Sequence, residues 1–258
     1  MTRARVVIAL LLLAASSSVV SAELKYTVRI QTHAADVTEP TDPRQRELGN
    51  VLLEMVAPEG AVEMTCIVGD GTARITWNKA LVGLPPGSVL IRNAEGLTMV
   101  LSPADRTYWK LTLTDWYGLP PARKPAVTST PTGETGIVAG VRSERSAVRI
   151  RIPFPEATTG HLVLGTPAEL PLQGDIWVTN QFARYATPDL RSVIGLATFG
   201  FDVAPDAGFV MRQRLRGAMF GGLELESSVT SIAEEDVPDA LFEVPAGYKE
   251  IPRPRIVG

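Results

Sequence analysis

The stretch Phe209–Ile232, FVMRQRLRGAMFGGLELESSVTSI, decides how the rest of this chain is read. It alternates with period two on both sides of a glycine-bearing break, the pattern of a half-buried antiparallel hairpin. On the first arm Phe209, Met211 and Leu215 share one face, and Arg212, Arg214 and Arg216 share the other. On the second arm Leu223, Leu225 and Val229 share one face, and Glu224, Glu226 and Ser228 the other. Folding the arms about Phe220 sets Arg216 opposite Glu224, Arg214 opposite Glu226, Leu215 opposite Leu225 and Met211 opposite Val229. A one-residue slip would oppose arginine to leucine, so both faces select the same register. Taken as exposed, each ion pair contributes under about 1 kcal/mol and selects register more than it stabilises. The hairpin implies an antiparallel sheet with one wet and one dry face.

Further strands flank it. Leu24–Thr32, 52–56 and Val62–Val68 alternate in the same way. Asp70-Gly71 predicts a type I′ turn, with Val68, Cys66 and Met64 meeting Ala73, Ile75 and Trp77. Val89–Arg92 is a short strand. Leu97, Met99 and Leu101 return through Ser102–Arg106, and pairing about Ala104 sets Met99 opposite Trp109 and Leu97 opposite Leu111. Gly136–Val141 with Ala147–Phe154 predicts a third pair, and 162–164 and Asp175–Thr179 two more strands. The proline-rich stretch 118–134, GLPPARKPAVTSTPTGE, is expected as a long exposed loop within one domain. Asn180–Ala186 predicts a short helix. Thr187-Pro188-Asp189 is a helix start, an N-cap followed by proline and an acid in the first turn. Leu190, Val193, Ile194, Ala197 and Phe201 then recur at helical spacing, and this stripe is expected to lie on the dry face of the sheet. Phe242 to Lys249 turns at Pro245–Gly247, and the tail beyond is expected to fray.

The first 22 residues predict a secretory signal. Arg3 and Arg5 precede the apolar run Val6–Ala15, and Val20-Ser21-Ala22 supplies small residues for cleavage after Ala22. The expected location is periplasmic or secreted, with one domain over 23–258 and no membrane-spanning segment. The whole chain carries a net charge of −3, and loss of Arg3 and Arg5 makes the mature part more acidic. That balance does not point to nucleic acid. The single cysteine, Cys66, lies on an apolar strand face and is expected as a buried small hydrophobe. No zinc-ligand spacing, nucleophile elbow or glycine-rich phosphate loop occurs, so the expectation is a non-enzyme without metal or cofactor. His33 and His161 sit in polar, loop-like surroundings, and Glu234-Glu235-Asp236 is expected as a solvated charge run. The arginine rows at 149/151 and 212/214/216 are expected to be a solvated strand face rather than an anion site.

A surplus of large flexible apolar groups falls on one predicted face: Met64, Trp77, Met99, Trp109, Phe209 and Met211, with Val193 and Ala197 on the helix above. A closed core and a partly covered groove for an apolar ligand both fit this set.

Several stretches together resemble a known family. They are Leu24–Ile30 after the signal, GLTMVLSPADRTYWKL with Ser102-Pro103 and Tyr108, Ala139-Gly140, and Asp175-Ile176-Trp177-Val178-Thr179. The closing Phe242-Glu243-Val244-Pro245-Ala246-Gly247-Tyr248-Lys249 completes the set. In this order they are similar to an uncharacterised secreted bacterial domain family akin to the LolA/LolB-type lipoprotein carriers. The resemblance implies a mainly β (α+β) fold, a strongly curved antiparallel sheet or open half-barrel with helices covering the concave face. It also implies a cavity holding a lipid or lipoprotein acyl chain, with no position here matching the carriers' lipid-gating arginine. The alternative is an envelope protein-interaction or sensor module with a filled core.

Overall fold

The computed structural model describes residues 22–34, 60–79, 84, 87–111, 126–153, 169–197, 208–217 and 223–253. The expected signal, the loop and strand over 35–56, residues 118–125, the 162–164 strand, His161 and Phe201 lie outside them.

Among the described residues, twelve strands form one sheet. They are β1 (Glu23–Ala34), β2 (Val62–Val68), β3 (Ala73–Trp77), β4 (Val89–Arg92), β5 (Thr98–Ser102), β6 (Thr107–Leu111), β7 (Ala126–Val138), β8 (Val141–Pro153), β9 (Glu169–Thr179), β10 (Phe209–Arg216), β11 (Leu223–Glu235) and β12 (Lys249–Glu250). The spatial order is β12-β6-β5-β4-β3-β2-β1-β11-β10-β9-β8-β7, open at both ends. Every contact is antiparallel except β12 on β6.

The hairpin β10–β11 has the register its alternation demands. Arg214 lies opposite Glu226, Leu215 opposite Leu225 and Arg216 opposite Glu224. β2–β3 likewise pairs Val68, Cys66 and Met64 with Ala73, Ile75 and Trp77. Its turn is not type I′, however, because only Gly71 takes positive φ (73°).

The β5–β6 hairpin corrects the expected pairing by one residue. Val100, not Met99, faces Trp109, and Met99 faces Lys110. The turn Pro103–Arg106 has four residues and bends at Arg106, which sits at φ 50°. One residue of slip moves a side chain to the opposite face. Met99 therefore leaves the large core and joins Val89, Ile91 and Leu101 in a second cluster on the other side. Tyr108, Val244 and Tyr248 cover that cluster. The C-terminal segment, with a 3-10 turn at Asp239–Phe242, crosses this side, and Arg74 Nη1 donates to the Leu241 carbonyl at 3.0 Å. A sheet region covered on both faces explains why TMVLS is buried throughout and does not alternate wet and dry.

The 118–134 stretch is not a loop throughout: from Ala126 it is strand β7, paired with β8. Thr-Ser-Thr and Val127 are good strand residues, and Pro131 is tolerated at a register shift on an edge strand.

The expectation of helices covering the concave face is overturned. Among the described residues there is one α-helix, α1 (Pro188–Ala197), besides short 3-10 turns at Ala183–Tyr185 and Asp239–Phe242. Thr187 caps it, accepting from the Leu190 N–H on its side chain (3.4 Å) and from the Arg191 N–H on its carbonyl (2.9 Å). It buries Leu190 and Val193 beside β3. Ten residues span about 15 Å at 1.5 Å per residue, too little to roof twelve strands roughly 4.8 Å apart.

The main core is instead one continuous apolar face running from β6 to the β7–β8 hairpin. The tip of that hairpin, with Val138 and Val141, comes back toward β11, four places away in the sheet order. Only a strongly coiled end of the sheet brings these strands together.

Candidate functional site

Where β7 and β8 return toward β11, a cleft of about 530 Å³ opens. Val141 from the hairpin tip, Phe182 from the turn after β9, and Ile232 from β11 line its apolar side. Gln181, Arg184 and Glu234 line its polar side. Each residue arrives by local necessity. Ala139 and Gly140 take φ 48° and 80°, the tight left-handed turn that lets Val138 and Val141 face each other. Asn180–Tyr185 is a chain of turns in which Tyr185 N–H donates to the Phe182 carbonyl at 3.0 Å, which presents Phe182 inward and Arg184 outward.

The apolar side is continuous with the core. Phe182 meets Phe209 edge-on at 6.0 Å, and Phe209 meets Tyr26 edge-on at 5.1 Å. Tyr26 in turn bonds Cys66, and burial pushes the Cys66 thiol up to about 12. Burial also raises the Tyr26 phenol well above its ordinary range. Both groups are neutral at physiological pH, so Cys66 is inert packing rather than a nucleophile.

The polar side is a small ionic cluster. Arg184 Nη2 donates to Glu234 Oε1 at 2.6 Å and to the Tyr185 hydroxyl at 2.6 Å, and its guanidinium lies 4.6 Å from the centre of the Tyr185 ring. Desolvation holds the Tyr185 phenol above its usual value. The acidic run is exposed, as expected, but Glu234 and Glu235 end strand β11 and are ion-paired, the first with Arg184, the second with Lys25 at 3.1 Å.

The residues expected at an apolar site divide three ways. Met64, Trp109, Val193, Phe209 and Met211 belong to the main core cluster, with Trp77 packed against it. Met99 lies on the opposite side of the sheet. The side chain of Ala197 lies outside the described residues. Met64 and Met211 are fully buried in that core. Trp77 Nε1 is shielded from solvent and has no hydrogen-bond partner among the described residues. Buried donors are rarely left so.

Sequence reasoning missed the cleft because its lining comes from three places brought together by coiling. Gln181, Phe182 and Arg184 fall in a stretch expected as a short helix, and Glu234 in the expected acidic run, but nothing in the sequence joined them.

The polar face of the hairpin is also not the surface its alternation suggests. Glu226 is buried. Its Oε1 accepts from Arg212 Nε (3.0 Å) and Nη2 (2.8 Å), and its Oε2 from Arg214 Nε (2.8 Å). His33, on β1 rather than in a loop, places Nε2 3.5 Å from Oε2. Arg145 bridges Asp175 (2.9 Å) and Glu134 (2.6 Å), and these bonds, that to Asp175 foremost, raise its pKa further.

No family model matches this chain, and no curated protein matches it. Among solved structures it is similar to a LolA superfamily protein from Nitrosomonas europaea. The identity is 9%, the match covers 86% of this chain and 90% of that one, and the TM-score is 0.30. An overlap that loose leaves the fold to be defined by this chain's own register and burial. No helix among the described residues is long and apolar enough to cross a membrane.

Proposed function

We propose that this chain is a non-enzymatic periplasmic binding protein or carrier that holds an amphiphile such as a lipid or a lipoprotein acyl chain, with residues 23–258 acting as one domain after removal of the signal. The observation that carries the reading is the cleft, whose apolar wall of Val141, Phe182 and Ile232 runs into the core while Arg184, Gln181 and Glu234 stand at its rim. An apolar tail fits the first set and a polar head the second. The volume of about 530 Å³ lies within the roughly 300–1,000 Å³ usual for small-molecule sites.

The test is direct. The mature protein, exported from a native-like host, is extracted with organic solvent, and the extract is examined by mass spectrometry. A fluorescent fatty acid is then titrated into delipidated protein and into Ile232→Trp, which narrows the cleft at its apolar wall. The expected result is a co-purifying lipid and probe binding weakened about tenfold in the variant, the effect of losing one well-packed apolar contact. No lipid and no probe response in the unmodified protein would end the proposal.

A second reading, an envelope interaction module with a filled core, draws support from the near-complete burial of Met64, Met211 and Val193. It predicts no displaceable ligand.

A further inference from the structure

The face of the sheet that carries Glu226 holds two kinds of arginine. Arg212 and Arg214 are ion-paired with Glu226, Arg214 also with Glu224, and Arg145 with Asp175 and Glu134. Arg149, Arg151 and Arg216 are exposed and make no ion pair among the described residues. Apart from Glu224 opposite Arg216, their register neighbours are short or neutral. Arg149 stands between Thr128 and Gln173, Arg151 between Ala126 and Pro171, and Arg216 next to Gln173, with Glu224 on its far side. The nearest acid, Glu224, lies 3.8 Å from Arg214 instead. Arg149 and Arg216 are therefore two strands apart, about 9.5 Å, with nothing anionic between them.

Beside these cations lies an unfinished edge. β7 is the last strand of the sheet and, among the described residues, pairs only with β8. Natural edges are blunted with charge, proline or a bulge. Here Pro131 and the register shift after it protect only the far half. Residues 126–130, Ala-Val-Thr-Ser-Thr, are strand, carry no charge and alternate exposed with half-buried. Their outward N–H and C=O groups are a template for another strand, and one position inward stand Arg149 and Arg151.

We propose that the Ala126–Thr130 edge of β7 takes up an extended acidic segment of a partner protein by strand addition, its alternate carboxylates reaching over Ala126 and Thr128 to Arg151 and Arg149, with Arg216 behind. Backbone pairing supplies affinity, and the unmatched cations supply choice of partner. A membrane surface fits less well, because headgroups have no ladder of donors and acceptors to offer the edge. A second copy fits less well too, since it brings the same row of arginines and no surplus acid.

The probe is a fluorescein-labelled octapeptide of alternating glutamate and valine, titrated into the full mature chain by anisotropy. Its lysine–valine counterpart and a copy N-methylated on alternate residues serve as comparisons. The expected result is saturable binding of the acidic peptide only. The N-methylated copy binds at least about tenfold more weakly, because it cannot complete the ladder. Binding also weakens about tenfold or more in Arg149→Glu/Arg151→Glu/Arg216→Glu and falls with added salt. Arg142→Glu, an exposed arginine at the other end of β8, leaves it unchanged. Circular dichroism confirms that the triple variant folds. Should it not, Arg149→Gln and Arg151→Gln with the peptide comparisons decide the matter. Equal binding of the lysine peptide, equal binding of the N-methylated copy, or an unchanged affinity in the arginine variants would overturn the proposal. So would self-association blocked by the peptide, or arginine-dependent flotation with phosphatidylglycerol vesicles in the absence of peptide binding. None of these outcomes depends on whether the cleft holds a lipid.

Discussion

Replacing Glu226 by glutamine is expected to destabilise the fold by about 2–3 kcal/mol. The glutamate side chain is only 6% exposed, while those of Arg212 and Arg214 are 29% and 42% exposed. Three N–H donors converge on its two oxygens at 2.8–3.0 Å. Removing one partner of a fully buried pair costs roughly 3–5 kcal/mol, because the other charge is stranded. Here the arginines keep access to water and recover part of that loss, which brings the figure down. Glutamine retains one acceptor oxygen, but its amide then meets the Arg214 or Arg212 donors as donor against donor. For a domain of this size each kcal/mol moves Tm by about 2–4 °C, so a fall of about 4–12 °C is expected in a calorimetric scan at neutral pH and low salt. Arg212→Met supplies the control. In the double variant the two changes should be less than additive by at least about 0.5 kcal/mol, since they remove one interaction. A shift under about 1 °C, or strict additivity, would mean that the carboxylate is solvated and that the cluster does not tie β10 to β11.

Other consequences follow from single groups. Cys66 should resist alkylation in the native protein and react at once in denaturant, because its thiol, pushed up to about 12, stays protonated. The same shift has a sign. The unfolded thiol ionises near 9 and the native one does not, so stability falls as pH rises from about 9 toward 12, by up to about 4 kcal/mol. The stability gap between wild type and Cys66→Ala should narrow over that range, and a constant gap would count against the shift. Gly174→Ala should fail to fold or lose β9–β10 pairing, since a Cβ there would stand 1.8 Å from the Arg214 carbonyl oxygen. Gly140→Ala meets nothing within 4 Å and pays only for φ 80°, about 1 kcal/mol, which urea denaturation will separate from the first.

How much of this was legible beforehand varies by element. The β10–β11 register was readable because each arm pairs opposite charges on one face and apolar groups on the other, so a slip is penalised twice. β5–β6 lacked that double constraint. TMVLS has three consecutive apolar residues, Met99, Val100 and Leu101, so a shift by one residue left apolar facing apolar, and Met99 was placed on the wrong side. The 118–134 stretch was misread through its prolines, which forbid a central strand but not an edge. The arginine rows were legible as rows. Which arginines were neutralised was not, because that depends on Glu226, Asp175 and Glu134 reaching them from neighbouring strands.

The sequence alone determined an antiparallel sheet with one apolar face, the start of the α-helix at Pro188 and the packing role of Cys66, because these rest on periodicity and capping within a few residues. Tertiary structure decided the single twelve-stranded sheet, the burial of Glu226, the second cluster under the C-terminal segment and the cleft at Val141, Phe182 and Ile232. Those depend on how far the sheet coils and on which strands end beside one another. That outcome is summed over many residues of twist, and no short stretch of the chain encodes it.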